Sequence, residues 1–361
     1  MNASDLIKLH EAQIRRLRSE GMGRIRIKRA LEAYGVEVGE YVVQLALDRL
    51  GLRTPSPERV AISEEPPPKD AEDEPIEDWI ARRVEVSKRK IAKHQRSKRV
   101  LTFPAEPVGF AVLGDPHLDN EGCDWDRLYR DVEILRNTAG VVTSTVGDVH
   151  DNWIGRLGRL YSCSSSTASE GWRASQWLLE ELQWLAIVGG NHDAWSHGPG
   201  VDPLQLLSDK FGVRCYDPDE LRLTLRWQDR PDLEPIVWVL RHDFKGRSWF
   251  HATHGPHKEA MLDGEAHILT CGHIHTWAYL QTEQRRSRIT HAIRVRGYKR
   301  ADNYAKTKGF YEQQHGYSCL IVVDPELEDP NRVQVFFDLE RGCRFLEWRR
   351  AESLRARKRA E

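Results

Sequence analysis

The sequence contains no long apolar run, and its six cysteines include no Cys-x-x-Cys pair. The scattered cysteines argue against both a disulfide framework and a cysteine-ligated zinc site. No stretch reaches the roughly 20 apolar residues that a membrane-spanning helix needs, and residues 1–17 are too polar for a signal peptide. We therefore expect free thiols, a cytoplasmic location and no membrane contact.

Charge is balanced over the 361 residues, with a formal net charge of −1, but it is unevenly distributed. Residues 79–100 and 341–361 are strongly basic, whereas residues 54–78 and the central body, 101–340, are acidic. Basic flanks around an acidic body suggest a polyanion contacted by the flanks and cations held in the middle. Solvated helix surfaces would give the same pattern and stay an alternative.

The apolar periodicity of residues 5–50 predicts three short helices. The unit they form, residues 1–53, resembles a helix-turn-helix and makes nucleic acid a candidate partner, although such units also serve in oligomerisation or docking. Its candidate phosphate contacts are the basic residues Arg24, Arg26, Lys28 and Arg29.

The composition then changes three times along the chain. Residues 54–75 are acidic and rich in proline, which is typical of an extended linker. Residues 76–100 are predicted to form one basic helix that packs along the following domain or binds nucleic acid. Residues 101–345 alternate strands with helices and predict a catalytic α/β domain, and residues 346–361 form a basic tail.

Five predicted strands each end in a polar cluster. The clusters are Gly114–His117, Gly147–Asn152, Gly189–Asp193, Arg241–Asp243 and Cys271–His275. One such cluster is usually a hydrogen-bonded loop, but five with buried carboxylates need positive counter-charge, and a metal pair would supply it. Asp, His and Asn without thiolate suit Mn²⁺, Fe or Zn²⁺ better than an all-oxygen Mg²⁺ site.

The order of these motifs resembles the calcineurin-like metallophosphoesterase superfamily. Asp-x-His, Gly-Asp-x-x-Asp, Gly-Asn-His-Asp, a later His and Gly-His-x-His follow one another within residues 108–340. The sequence around Gly147–Leu157 and Arg241–Pro256 is similar to phage and prophage members. The resemblance implies a four-layer α/β/β/α sandwich, here with the small all-α unit in front, and a dinuclear metal site at the strand ends.

The resemblance also implies the ligands of two divalent ions, for which we expect Mn²⁺ first, with Fe, Zn²⁺ or Mg²⁺ as alternatives. The first metal would be held by Asp115, His117 and His275, with Asp148 bridging to the second. The second would be held by Asn191, His273 and one further histidine. We prefer His242 for that place because it ends a strand, with His254 of Thr-His-Gly-Pro as the alternative.

His192 would then stabilise or protonate the leaving group, with Asp193 or Asp151 orienting its ring. The candidate substrate contacts are Asn152, His254, Arg294, Arg296 and Lys299. Arg294 and Arg296 share one face of a predicted strand, which is either a polyanion contact or an ordinary solvated face.

These expectations make the protein a metal-dependent phosphodiesterase, foremost a nuclease acting on DNA or RNA. Two alternatives stay open. One is a phosphatase of nucleotides or phosphoproteins, and the other is a non-catalytic DNA-binding or scaffold protein.

Overall fold

The computed structural model describes residues 2–52, 75–153, 155–197, 201–248, 250–284, 287–300 and 313–360. The chain divides into two compact units, Met1–Trp79 and Ile80–Glu361. The predicted linker, residues 54–75, lies outside the described residues except for Pro75.

Three helices form the first unit where the periodicity predicts them: α1 (Ala3–Ser19), α2 (Arg24–Ala33) and α3 (Glu40–Arg49). Their apolar faces meet in one buried cluster, because Leu6, Ile14, Ile27, Leu31 and Val43 all point inward. The basic side chains of α2 are therefore left on the outer surface, where Arg24 pairs with Glu40 of α3.

The basic helix ends earlier than the sequence suggests. Helix α4 runs Ile76–Arg96, and Lys98–Phe103 form strand β1. The prediction of a helix to Val100 is wrong there, because Leu101 and Phe103 pack against the core of the second unit. Residues 80–92 of α4 are exposed, which does not support the predicted packing along the catalytic domain.

The first sheet consists of the strands β2 (Val108–Leu113), β3 (Val141–Thr145), β4 (Trp184–Val188), β5 (Cys215–Asp217), β11 (Ser318–Val323) and β12 (Val333–Phe336). Their order across the sheet is β12-β11-β2-β3-β4-β5. Strands β2 to β5 are parallel, and β11 and β12 extend the sheet antiparallel beside β2. All six residues of β2 are buried, as expected of a central strand covered on both faces.

The second sheet combines β1 with the strands β6 (Glu220–Trp227), β7 (Ile236–Arg241), β8 (Ile268–Cys271), β9 (Ala278–Glu283) and β10 (Ile289–Arg294). Their order is β1-β6-β7-β8-β10-β9. Strand β1 pairs parallel with β6, and β7, β8 and β10 run parallel to one another.

The helices of the second unit are α5 (Trp125–Arg136), α6 (Ala168–Glu181), α7 (Asn191–Ala194), α8 (Pro203–Lys210), α9 (His254–Asp263) and α10 (Leu339–Ala360). Helices α5, α6 and α10 cover the outer face of the first sheet, and α9 covers the second. The two sheets face each other across one apolar core, where Phe110 of β2 and Trp238 of β7 meet edge to face with ring centroids 5.5 Å apart. The predicted four-layer α/β/β/α sandwich is confirmed.

The C-terminal residues 346–361 are not a separate tail. Helix α10 begins at Leu339 and continues to Ala360, and Leu346 is fully buried against the first sheet. The predicted boundary after residue 345 falls inside this helix, because its basic composition conceals an apolar side formed by Leu339, Cys343 and Leu346.

Two expectations from composition can be compared with the described residues. Cys123, Cys215, Cys271, Cys319 and Cys343 are buried free thiols. None of the helices described is both long enough and apolar enough to cross a bilayer.

Candidate metal centre

Polar loops from both sheets meet at one end of the sandwich. Strands β2, β3 and β4 of the first sheet lead into Asp115, Asp148 and Asn191, and β7 and β8 of the second lead into His242 and His273. Because the carboxyl ends of parallel strands lie at the same sheet edge, one site collects side chains from five separate parts of the chain.

The first ligand cluster is formed by Asp115, His117 and His275, whose donor atoms lie within 4.8 Å of one another. Asp115 and His117 are fully buried. Asp115 Oδ1, His117 Nε2 and His275 Nδ1 are buried without a hydrogen-bond partner among the described residues. Buried polar atoms are normally paired, so three unpaired atoms in the residues of one cluster indicate a place for a cation.

The second cluster is formed by Asp148, His242 and His273, again with donor atoms within 4.8 Å of one another. Asn191 joins it, since its Oδ1 lies 3.0 Å from His242 Nε2. His242 Nδ1 donates to the backbone oxygen of Val146 over 2.7 Å, which turns the lone pair of Nε2 toward the cluster. Such a backbone partner fixes the tautomer of a ligating histidine.

Asp148 lies between the two clusters. Its Oδ2 is 3.0 Å from His242 Nε2 and 3.9 Å from His117 Nε2. Its Oδ1 accepts the backbone N–H of His192 over 2.9 Å. One carboxylate oxygen that faces both histidines is suited to bridging two cations.

The loops that carry the ligands have unusual backbone geometry. Seven described non-glycine residues have positive φ, and five of them belong to this site. The five are His117, Asp148, Asn152, His273 and His275. Left-handed backbone at non-glycine residues is strained by about 1–3 kcal/mol each and is retained where the surroundings determine it.

Burial changes the titration of the ionisable groups in the two clusters. Burial raises the pKa of Asp115 and lowers the pKa of His275 well below its usual range. Burial opposes ionisation of Asp148 too, but His242 holds its pKa below the ordinary value. Cations in the two clusters would offset the burial of these carboxylates and favour neutral imidazoles, the forms that ligate metals.

His192 occupies the mouth of the site. Its Nε2 lies 4.0 Å from Asp148 Oδ2, and its side chain is 12% exposed. Its Nδ1 donates to the backbone oxygen of Asp151 over 2.5 Å, so Nε2 faces the clusters. Burial lowers the pKa of His192 to about 4.

The two carboxylates expected to orient His192 have other partners. Asp193 is buried and accepts the backbone N–H groups of Asp148, Val149 and Gly190, so it ties the β3 loop to the β4 loop. The side chain of Asp151 accepts from His117 Nδ1 over 2.7 Å. The prediction that a carboxylate orients His192 is wrong, because the backbone oxygen of Asp151 takes that place.

The structure distinguishes His242 from His254, the two alternatives for the remaining histidine of the second metal. His242 lies inside the second cluster, whereas His254 is an exposed residue that begins α9 and belongs to none of the ligand clusters found among the described residues. The Cδ2 atom of His254 lies beside Gly246.

Three of the five candidate substrate contacts are structural. Arg294 and Arg296 are buried. Arg294 ends β10, an interior strand of its sheet, and Arg296 lies beyond the strand and donates from Nη2 to the backbone oxygen of Lys299. Arg294 donates to the backbone oxygens of Ala252 and Gly272 and to Asp243. Asn152 donates from Nδ2 to the backbone oxygen of His192, and Lys299 lies beside the first cluster.

Lys299 reaches the first cluster through a well-anchored loop. Its Nζ lies 3.3 Å from Asp151 Oδ1, and its side chain is 10% exposed. The loop is held because Tyr298 donates from its backbone to the oxygen of Asp115 and from its hydroxyl to Asp131.

Three residues beside the site belong to none of the five polar clusters predicted from the sequence. The rings of Trp153 and Trp195 pack beside His192, at centroid distances of 4.9 and 4.2 Å. Arg247 lies at the second cluster, with Nη2 3.4 Å from His273 Nε2. Trp153 directly follows the Gly147–Asn152 cluster, which is the one sequence signal that could have found it.

The four basic residues predicted to contact phosphates lie on one helix of the first unit, α2. Arg24 and Lys28 pair with Glu40 and Glu32, respectively, over 2.7 and 3.0 Å. Arg26 and Arg29 are exposed on the same helix.

No protein-family model and no curated protein matches this chain. Among solved structures, the chain is similar to vacuolar protein sorting 29 from Cryptosporidium parvum, at 14% identity and a TM-score of 0.36, with 64% of this chain and 96% of that one covered. An archaeal phosphodiesterase is 11% identical, at a TM-score of 0.30 and coverage of 63% and 99%. A Pseudomonas putida nuclease is 13% identical, at a TM-score of 0.29 and coverage of 63% and 87%.

Proposed function

We propose that the protein is a dinuclear-metal-dependent phosphodiesterase that cleaves nucleic acid. The observation that carries the proposal is the pair of ligand clusters sharing Asp148, with three buried donor atoms that lack a hydrogen-bond partner in the described part of the chain. The same motifs resemble calcineurin-like metallophosphoesterases, in which such a pair acts on phosphate esters.

The first metal would be held by Asp115, His117 and His275, and the second by Asn191, His242 and His273, with Asp148 between them. A metal pair supplies Lewis acidity that polarises phosphate oxygens and lowers the pKa of a water. The donor set, three oxygen residues and four imidazoles, suits Mn²⁺, Fe or Zn²⁺, of which we favour Mn²⁺.

His192 would deliver the proton that the leaving oxygen needs. Its ring is held by the Asp151 carbonyl at Nδ1, which leaves Nε2 facing the site. The low pKa of His192 leaves the ring neutral near pH 7, with its proton on Nδ1. Its Nε2 would therefore first take a proton from solvent, which the negative charge of the phosphate favours, and would then pass that proton to the leaving oxygen.

Two cations flank the clusters and would neutralise phosphate oxygens. Lys299 lies on the side of the first cluster and Arg247 on the side of the second. A phosphodiester between them would have one cationic side chain on each side, in addition to the metals.

Basic surfaces outside the site favour a polymeric substrate over a small phosphate ester. Arg26 and Arg29 are exposed on α2, residues 76–92 of the basic helix α4 are exposed, and α10 ends in Arg357, Lys358 and Arg359. Lysine and arginine side chains of this kind bind nucleic-acid phosphates without reading sequence.

The test is hydrolysis in the presence of Mn²⁺. Wild type and Asp148→Ala are incubated with end-labelled single- and double-stranded DNA and RNA, beside bis-p-nitrophenyl phosphate and p-nitrophenyl phosphate. We expect wild type to cleave at least one nucleic acid and the diester, and the variant to cleave neither. Cleavage of the monoester alone would reject the proposal in favour of a phosphatase.

A further inference from the structure

An aromatic surface adjoins the proposed proton donor. Trp153 and Trp195 both contact His192, and their own ring centroids are 6.2 Å apart at an interplanar angle of 39°. The two indoles therefore form one continuous wall beside the imidazole. Lys299 Nζ lies 5.0 Å from the ring centroid of Trp153, so the wall also touches the cation beside the first cluster.

The wall is not part of the hydrophobic core. Trp153 and Trp195 are both partly exposed, and neither belongs to the apolar clusters that the described residues bury. Large apolar side chains kept partly exposed next to a polar site are typical of ligand contacts.

Local hydrogen bonds hold the wall in place. Trp153 donates from its backbone to the hydroxyl of Tyr161 over 3.1 Å, and Trp195 donates from its backbone to the oxygen of His192 over 3.2 Å. Asn152, the neighbour of Trp153, donates to the same oxygen of His192. These bonds hold the backbone of both tryptophans beside His192, and the ring contacts place the two indoles against the imidazole.

We propose that Trp153 and Trp195 bind the nucleobase of the leaving nucleoside by stacking. This inference rests on the proposed phosphodiesterase function, and the position of the wall carries it. Because His192 faces the leaving oxygen, the aromatic surface next to it contacts the group beyond that oxygen. An indole face accepts any base, so the wall favours nucleosides over aliphatic groups without reading sequence.

The experiment compares four dinucleotides in the presence of Mn²⁺. One is intact, one lacks the base on the leaving side, one lacks it on the retained side, and one lacks both. Wild type, Trp153→Ala, Trp195→Ala and Trp195→Phe are assayed. Trp348→Ala, on the exposed surface of α10, is the matched control.

We expect loss of the leaving-side base to lower kcat/KM of wild type about tenfold, or ~1.4 kcal/mol, which lies within the range that base–aromatic stacking contributes. Loss of the retained-side base should have little effect. The two alanine variants should no longer distinguish the dinucleotides, Trp195→Phe should keep part of the discrimination, and Trp348→Ala should behave as wild type.

Binding gives a readout that does not depend on turnover. A dinucleotide with methylene in place of the bridging oxygen on the leaving side cannot be cleaved there. Its Kd should rise in the alanine variants only when the leaving-side base is present. If the tryptophans merely hold His192, the variants would slow all four dinucleotides equally and leave Kd unchanged, and the inference would be overturned.

Failure of the inference and failure of the function are distinguishable. Hydrolysis of bis-p-nitrophenyl phosphate without any preference among the dinucleotides would reject the stacking wall and leave the phosphodiesterase intact. Failure to hydrolyse any phosphodiester would reject both.

Discussion

Asp151 Oδ1 lies 2.7 Å from His117 Nδ1, and both side chains are almost fully buried. Burial opposes ionisation of Asp151, but the hydrogen bond from His117 and the charge of Lys299 hold its pKa below the ordinary range, so the carboxylate accepts and Nδ1 carries the proton. His117 Nε2 is thereby left with its lone pair facing Asp115 and His275.

Asp151→Asn should weaken metal binding at the first cluster, because an amide holds the imidazole less firmly and makes it a poorer ligand. Loss of such a partner typically lowers metal affinity about 10–100-fold. Calorimetric titration with Mn²⁺ should show one weakened site and one unchanged site. Asp263→Asn, which breaks an ion pair with Arg222 on the second sheet, is the control. Two unchanged sites in Asp151→Asn would contradict the assignment.

Asp148→Ala should remove the metals from both clusters, since Asp148 faces both. Metal content measured after gel filtration should fall well below one ion per chain, against two in wild type. Retention of one tightly bound ion would mean that Asp148 ligates a single metal and does not bridge.

His242→Ala and His254→Ala form a matched pair that tests the seventh ligand. The first should lose the metal of the second cluster, because His242 Nε2 lies within 3.1 Å of its neighbours Asp148, Asn191 and His273. The second should keep both ions, since His254 is exposed at the start of α9. The opposite result would restore His254 as the ligand.

His192→Ala should keep both metals and lose most turnover, by about 10²–10⁴-fold for a nucleic-acid substrate whose leaving alkoxide needs a proton. A p-nitrophenyl diester should suffer less, because p-nitrophenolate leaves without protonation. Equal losses on both substrates would argue against proton donation, and normal turnover would remove His192 from the mechanism.

Arg26→Ala combined with Arg29→Ala should weaken binding to DNA if α2 contacts phosphates. The slope of log K against log salt concentration should fall by up to about 0.9 for each phosphate that the variant no longer neutralises. Arg15→Ala with Arg16→Ala, on α1, is the control, since both arginines pair with glutamates close to them in the chain. Identical salt slopes in wild type and both double variants would reject a nucleic-acid role for α2.

The residues proposed as metal ligands could be predicted from the sequence because each follows a buried strand, and such strands are recognisable as short apolar runs. The hydrogen-bond partners of the acidic residues beside them could not be predicted in this way. Asp151 and Asp193 look equivalent in the sequence, because each belongs to a polar cluster that follows a strand. In the structure, however, Asp151 accepts from His117, whereas Asp193 accepts from three backbone N–H groups. Which acid meets which donor depends on loop geometry.

Arg294 and Arg296 illustrate a second limit of sequence reasoning. Alternating basic residues normally indicate a solvated strand face, but both side chains are buried, and Arg294 is stabilised inside by two backbone oxygens and Asp243. The aromatic wall is a third case, because Trp153 and Trp195 are far apart in the sequence and only the folded chain joins them.

Strand β1 affects how the second unit can be isolated. It occupies the outer position of the second sheet beside β6, and Lys98 begins it. A chain shortened to begin at residue 101, where the helix was expected to have ended, would lose half of this strand and uncover the backbone hydrogen-bonding groups of β6. Uncovered strand edges invite pairing between molecules. The residues that resemble a detachable basic arm thus end in a strand that covers the edge of β6 and so protects the second unit from self-association.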